Sequence, residues 1–188
     1  MEAKDIRQEE SSLVDGCLSG NSKSQELLYK RYAGMGYALC CRYAKDKDTA
    51  ADILQDGFIR IFNSLDSFRK DGSLEGWIRR ILVNTALEYH RKQATIQWVP
   101  EPEDKDFTPA PPEVIGSLEA EELMKLVQAL PTGYRMVFNL YAIEGYSHRE
   151  ISELLQISEG TSKSQLARAR AQLQQQVEIL FGEKPYAP

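Results

Sequence analysis

Apolar residues recur along this chain with the spacing of helices, not of strands. Between Thr49 and Leu65, the side chains of Leu54, Phe58, Ile61, Phe62 and Leu65 share one side of a helical wheel. Leu74, Ile78, Ile81, Leu82 and Tyr89 do the same between Leu74 and about Lys92. Each stripe predicts an amphipathic helix that buries its apolar side against a neighbour. Two more helices precede them, over about Ser11–Leu18 and about Lys23–Ala44. Asp46 or Asp48 is placed to cap the third helix, and Ser73, following Asp71-Gly72, to cap the fourth. No alternating run of β-branched residues flanks an Asn-Gly or Asp-Gly turn, so strand signals are missing.

A second helical group follows, over about Ser117–Leu130, Pro131–Glu144, Ser147–Leu155 and Glu159–Phe181. Pro131 suits a first helical turn and Gly145 the position just past a helix end. Ser147-His148-Arg149-Glu150 is a capping box, and Ser158 or Glu159 opens the last helix. The short helix, the tight turn Gln156-Ile157-Ser158 and the longer helix together predict a helix-turn-helix. Between Gln97 and Gly116 lie five of the eight prolines, mixed with acids, which neither a helix nor a central strand accepts. The expected class is therefore all-α: two small helical domains, 1–94 and 117–188, joined by an extended linker over 95–116.

Composition agrees with a globular protein: 188 residues, 42% apolar and 27% charged, enough for one or two domains. No apolar run is long enough for a membrane span, and Met1-Glu2-Ala3-Lys4-Asp5 does not open a secretory signal. Three cysteines and two histidines are too few and too badly spaced for structural zinc. Adjacent Cys40 and Cys41 point about 100° apart on a helix, and with Cys17 they are expected as small packing side chains. No Walker loop, nucleophile elbow or HExxH occurs. The expectation is a cytoplasmic protein with no catalytic residues, metal or cofactor and no membrane insertion.

The net charge of −5 argues against nucleic acid until its distribution is followed. Eight acids against Lys105 alone fill the stretch from Val99 to Glu122. Seven basic residues oppose four acids between Arg60 and Lys92, and Thr161–Gln175 has three basic residues and no acid. The two ends are thus locally basic, and local charge governs phosphate contact.

Three faces could carry function. In the last helix Leu166, Ala169, Leu173 and Val177 make a packing side, while Thr161, Lys163, Ser164, Ala167 and Arg168 lie on or beside the opposite one. Small polar and cationic side chains at a helix N-terminus suit base edges and phosphates in a major groove, although an ordinary solvated face has a similar composition. In the third helix Asp52, Gln55, Asp56 and Ile59 face away from the stripe, an acidic surface with one apolar anchor. In the fourth, Arg80, Asn84 and Arg91 lie within about 40° of one another, with apolar Leu87 nearby on the outward side. Trp77 and Tyr89 are expected to pack within the domain.

Several motifs are specific. Leu130-Pro131-Thr132-Gly133-Tyr134-Arg135-Met136-Val137-Phe138, Glu144-Gly145-Tyr146-Ser147-His148-Arg149-Glu150-Ile151 and Gly160-Thr161-Ser162-Lys163-Ser164 resemble the fourth conserved region of extracytoplasmic-function (ECF) sigma factors. Ala51-Asp52-Ile53-Leu54-Gln55-Asp56-Gly57-Phe58 resembles the segment with which that family grips RNA polymerase. Phe68-Arg69, followed by Trp77-Ile78-Arg79-Arg80-Ile81-Leu82-Val83-Asn84 and ending at Arg91, resembles its promoter-melting and −10-reading segment. The resemblance implies a sigma factor whose Asp52, Gln55, Asp56 and Ile59 meet the coiled coil of the polymerase β′ clamp. It also implies that Arg80, Asn84, Leu87 and Arg91 meet the −10 element, with the displaced base caught by about His90–Gln97. Thr161, Lys163, Ser164, Ala167 and Arg168 would read −35 DNA, the β flap would be a further contact, and an anti-sigma factor a regulator. Ser162, Gln165 and Ala167 depart from the commonest family pattern, so the −35 sequence does not transfer. Two rivals stand beside this reading: a stand-alone helix-turn-helix regulator, and an interaction protein such as an adaptor.

Overall fold

A computed structural model describes the backbone over 2–93 and 120–181 and the side chains over 8–93 and 122–180. Among the described residues every element is helical: α1 (Glu2–Leu18), α2 (Ser22–Tyr43), α3 (Lys47–Asn63), a 3-10 turn (Leu65–Ser67) and α4 (Leu74–Lys92). There follow α5 (Ala120–Ala129), α6 (Thr132–Phe138), a π-helical turn (Asn139–Ile143), α7 (His148–Leu155) and α8 (Glu159–Phe181). The chain divides into two compact units, Met1–Tyr89 and His90–Pro188, with the division in the last turn of α4. The expected linker 95–116 lies outside the described residues, as does 117–119 at the expected start of α5.

Local chemistry sets the helix ends of the first unit. Asn21 Oδ1 accepts from the backbone N–H groups of Lys23 and Ser24 and opens α2. Asp46 Oδ1 accepts from Thr49 N–H at 2.8 Å, and these Thr49 bonds hold its carboxyl below the usual range. Ser73 Oγ accepts from Gly76 N–H at 3.0 Å and opens α4. α1 begins much earlier than the apolar pattern predicts. Its polar extension has no stripe to bury, and its later part meets α2 through polar groups: the Tyr32 hydroxyl donates to Glu10 at 3.0 Å, and Arg31 faces Glu9 at 3.9 Å. Burial, with Glu10 as a second cause, pushes the Tyr32 phenol up to about 12.

The core of this unit is the meeting of the two predicted stripes. Leu54, Phe58, Ile61 and Leu65 are buried, as are Leu74, Ile78 and Leu82, while Phe62, Ile81 and Tyr89 are half-buried. Leu82 is the wedge. A Cβ on Gly36 of α2 would meet its Cδ1 at 3.0 Å, and one on Gly57 of α3 would overlap its Cδ2. The two glycines therefore allow α2 and α3 to receive a leucine of α4, and this close approach is why glycine sits inside two helices despite its cost there. Arg60 Nη1 donates to Glu88 Oε2 and ties α3 to α4 beside the wedge.

In the second unit Met136, Leu140, Ile151 and Ala169 are wholly buried. Arg135 is buried with them and donates from Nη1 to the Gln128 carbonyl at 2.6 Å, closing the end of α5. That burial pushes its pKa down. Pro131 sits just before α6 with an extended ψ of 142°, one position earlier than expected. The helix expected to run on to Glu144 widens at Asn139 into a π turn, and Gly145 then ends it at φ 79°, as its position predicts. Among the described residues no helix is long and apolar enough to cross a membrane.

Candidate nucleic-acid and protein interface

The outer face of α3 is built by exclusion. Ile53, Leu54, Gly57, Phe58 and Ile61 turn inward, which leaves Asp52, Gln55, Asp56 and Ile59 exposed at helical spacing. Ile59 keeps 59% of its surface open and is the one apolar side chain of this four-residue face. Tyr29 of α2 extends the unit's aromatic surface by packing on Phe58 with ring centroids 4.7 Å apart.

On α4, Arg80, Asn84 and Arg91 are exposed, as the wheel places them. Leu87 is not. It is 1% exposed and belongs to the core, which corrects its expected place beside the DNA-facing residues. The wheel shows which residues share a direction, but it does not show how many directions are covered. Val83, Thr85, Ala86, Leu87 and His90 are all buried, so the later half of α4 is enclosed around much of its circumference.

The first unit also holds a pocket of about 390 Å3 that sequence reasoning did not locate. Phe68, Arg69 and Gly72 of the loop before α4 line it together with Trp77 and Arg80. Phe68 and Trp77 pack at a tilt, centroids 5.5 Å apart, so Trp77 both fills the domain and walls the pocket. Lys70 adopts a left-handed conformation (φ 61°) and donates to Ser11 Oγ at 2.8 Å and Asp15 Oδ1 at 2.9 Å, tethering the loop to α1. An aromatic-arginine run before a helix with Trp one turn inside was the available signal. The segment expected to catch a displaced base lies at the other end of α4, and its 94–97 portion is outside the described residues.

The helix-turn-helix is formed by α7 and α8. The capping box is complete: Ser147 Oγ accepts from Glu150 N–H, and Glu150 Oε2 accepts from Ser147 N–H at 2.8 Å. Gln156 ends α7 in the left-handed region (φ 57°) and Ser158 Oγ opens α8, accepting from Thr161 N–H at 2.9 Å. Leu166, Ala169 and Leu173 are buried as expected, whereas Val177 is half-buried. Lys163 is exposed, and Thr161, Ser164, Ala167 and Arg168 are half-buried along the same end of α8. The Ser164 hydroxyl donates to the Thr161 carbonyl at 3.0 Å.

Ser162 and Gln165, the two departures next to this face, are buried in the seam. Ser162 Oγ lies 2.9 Å from His148 Nδ1, and the His148 ring stacks on Tyr141 at 4.5 Å and 22°. Burial, and then the nearby Lys163, hold the His148 imidazole below its usual range; Glu159 opposes and Arg170 adds to the lowering. The Arg170 guanidinium lies over the Tyr141 ring, 5.8 Å from its centroid.

Two known sequence families match within the chain, most of one in each unit. Residues 28–96 match Sigma-70 region 2, and 120–173 match Sigma-70, region 4. The chain is 34% identical over 155 residues to the ECF RNA polymerase sigma factor SigE of Mycolicibacterium smegmatis, covering 80% of this chain and 60% of that protein. It is 32% identical over 184 residues to the ECF RNA polymerase sigma-E factor of Escherichia coli K12, covering 90% of this chain and 94% of that one. Among solved structures, the sigma factor RpoE from Bartonella quintana, in complex with the anti-sigma factor NepR, has a similar fold. Its TM-score is 0.53 at 23% identity, over 82% of this chain and 96% of that one. By its sequence matches, the chain belongs to the ECF sigma factors of RNA polymerase.

Proposed function

We propose that this chain joins core RNA polymerase in the cytoplasm and directs it to promoters, the α3 face gripping the polymerase and α4 and α8 addressing separate DNA elements. The observation that carries this reading is the pairing, on one chain and in family order, of a region 2 unit and a region 4 unit, each with an exposed face suited to its task. A stand-alone regulator needs the helix-turn-helix but not the acidic, Ile59-anchored face of α3.

The division of labour follows from chemistry. Asp52, Gln55, Asp56 and Ile59 combine negative charge with an apolar anchor, which complements a basic coiled coil such as that of the β′ clamp. Arg80 and Arg91 can hold phosphates, and Asn84 offers both donor and acceptor to an exposed base edge. The adjoining pocket adds aromatic walls from Phe68 and Trp77, the means by which an unstacked base is held. Capturing it offsets the cost of separating the strands. In the second unit Lys163 and Arg168 serve phosphate and base contacts while Thr161, Ser164 and Ala167 keep the helix slim enough to enter the major groove. The β flap and an anti-sigma factor are the remaining partners of this reading. Domains over 1–94 and 117–188, with an acidic tether over 95–116, let the two units reach separate stretches of one promoter while the tether avoids duplex phosphate. The family is one of sigma factors, and no chemistry of bond-making is assigned to the chain itself.

Lys163→Ala and Arg168→Ala test the DNA half. With core polymerase present, each should weaken protection of the upstream duplex, and loss of one phosphate contact should flatten the salt dependence by about one unit of slope. Footprints and slopes equal to wild type in both variants would contradict the assigned face.

A further inference from the structure

We propose that His148 is a positioning residue for promoter recognition. Its hydrogen bond to Ser162 and its stack on Tyr141 pin the N-terminal end of α8, and so set which base edges the exposed side chains of α8 meet. The inference rests on the proposed role of α8 in reading duplex DNA.

Ser162 is 0% exposed on α8, which packs against α7, and Ile151, Leu155, Leu166 and the polar Gln165 of these two helices are buried as well. A buried hydroxyl is costly unless it is bonded, and His148 Nδ1 supplies the bond at 2.9 Å. The apolar part of the seam attracts without direction and tolerates small rotations of one helix on the other. A hydrogen bond does not, because it weakens steeply with angle and distance. Its place matters: Ser162 stands between Thr161 and Lys163, so the pin acts where α8 is to enter the groove. A rotation of α8 by about 20° would carry a side-chain tip about 2 Å, enough to break a contact with a base edge.

The histidine is itself held. As the first residue of α7 it follows the Ser147 cap, and the complete capping box orients that turn. The π turn brings Tyr141 against its ring, so the imidazole is placed from two sides before it reaches Ser162. A hydroxyl at 162 is thus matched by an imidazole at 148. A branched apolar residue at 162 would fill the seam but leave Nδ1 without this partner and α8 without this directional restraint.

The test uses the full chain with core RNA polymerase. The probes are the duplex that the wild-type complex enriches from a random pool and a scrambled duplex of equal length. In His148→Ala and in Ser162→Ala the affinity ratio of enriched to scrambled duplex should fall about tenfold, since each removes the same bond. The double variant should fall no further, and His148→Asn, whose amide can replace Nδ1, should restore most of the ratio. Circular dichroism should show unchanged helix content; Ser162→Ala, which removes a single oxygen, keeps the comparison valid if His148→Ala unfolds. A wild-type ratio in Ser162→Ala, or losses that multiply in the double variant, would overturn the pin while leaving the DNA-reading role intact. A wild-type complex that enriches no duplex at all would remove that role, and the pin with it.

Discussion

Reversing two carboxylates together, as Asp52→Lys/Asp56→Lys, should weaken capture of core RNA polymerase about a hundredfold and leave the helix content unchanged. Both side chains are exposed on α3, four residues apart, on the face that also presents Ile59. Against a basic coiled coil, exchanging attraction for repulsion costs several kcal/mol, and about 2.7 kcal/mol corresponds to a hundredfold. Within the fold the change is small. Asp56 adds an attraction to Arg60, but Arg60 is anchored chiefly by Glu88, and surface pairs of this kind contribute about 0–1 kcal/mol. Ile59→Ala should have a weaker effect of the same sign, because it removes the anchor without adding repulsion. Anisotropy of labelled chain titrated with core enzyme measures both. Wild-type affinity in the charge-reversed variant would mean that the polymerase is gripped elsewhere.

Leu82→Ala and Gly57→Val should each destabilise the first unit by about 3 kcal/mol, one by emptying a site and the other by overfilling it. Leu82 is 0% exposed and projects its two methyls towards Gly36 and Gly57. Removing it leaves a cavity bounded by helix backbones that cannot follow. Placing a branched side chain at Gly57 drives into Cδ2 of the wholly buried Leu82 and overpacks the helix contact. Because α3 carries the polymerase face and α4 the DNA face, both variants should lose promoter opening as well as stability. Urea unfolding of the full chain, followed in the transition that exposes Trp77, gives the difference; shifts below about 1 kcal/mol in both would contradict the wedge.

What was legible in the sequence was whatever local chemistry decides. The caps Asp46 and Ser73, the capping box at Ser147 and the glycine stop at Gly145 all depend on residues within one turn, and all stand where the pattern puts them. The exposed faces of α3 and of the first part of α4 were legible too, because a single stripe marks the buried side. What failed depended on tertiary surroundings. Leu87 is apolar at an outward wheel position, and only the enclosure of late α4 tells that it is core. The early start of α1 is supported by polar pairs with α2, which leave no hydrophobic period. The pocket beside Arg80 brings the loop before α4 against that helix, and the His148–Ser162 bond joins residues that α7 and a turn separate. Ser162 looked like a mere departure from the family's pattern, although its partner was fourteen residues away.

Run-off transcription with purified core RNA polymerase, on fragments that the wild-type complex enriches, tests the central claim most directly. Discrete transcripts should appear only when this chain and core enzyme are both present, and should disappear with Asp52→Lys/Asp56→Lys. No transcript above the level of core enzyme alone, with the same fragments bound tightly by the chain without polymerase, would contradict the account and return the protein to the stand-alone regulators.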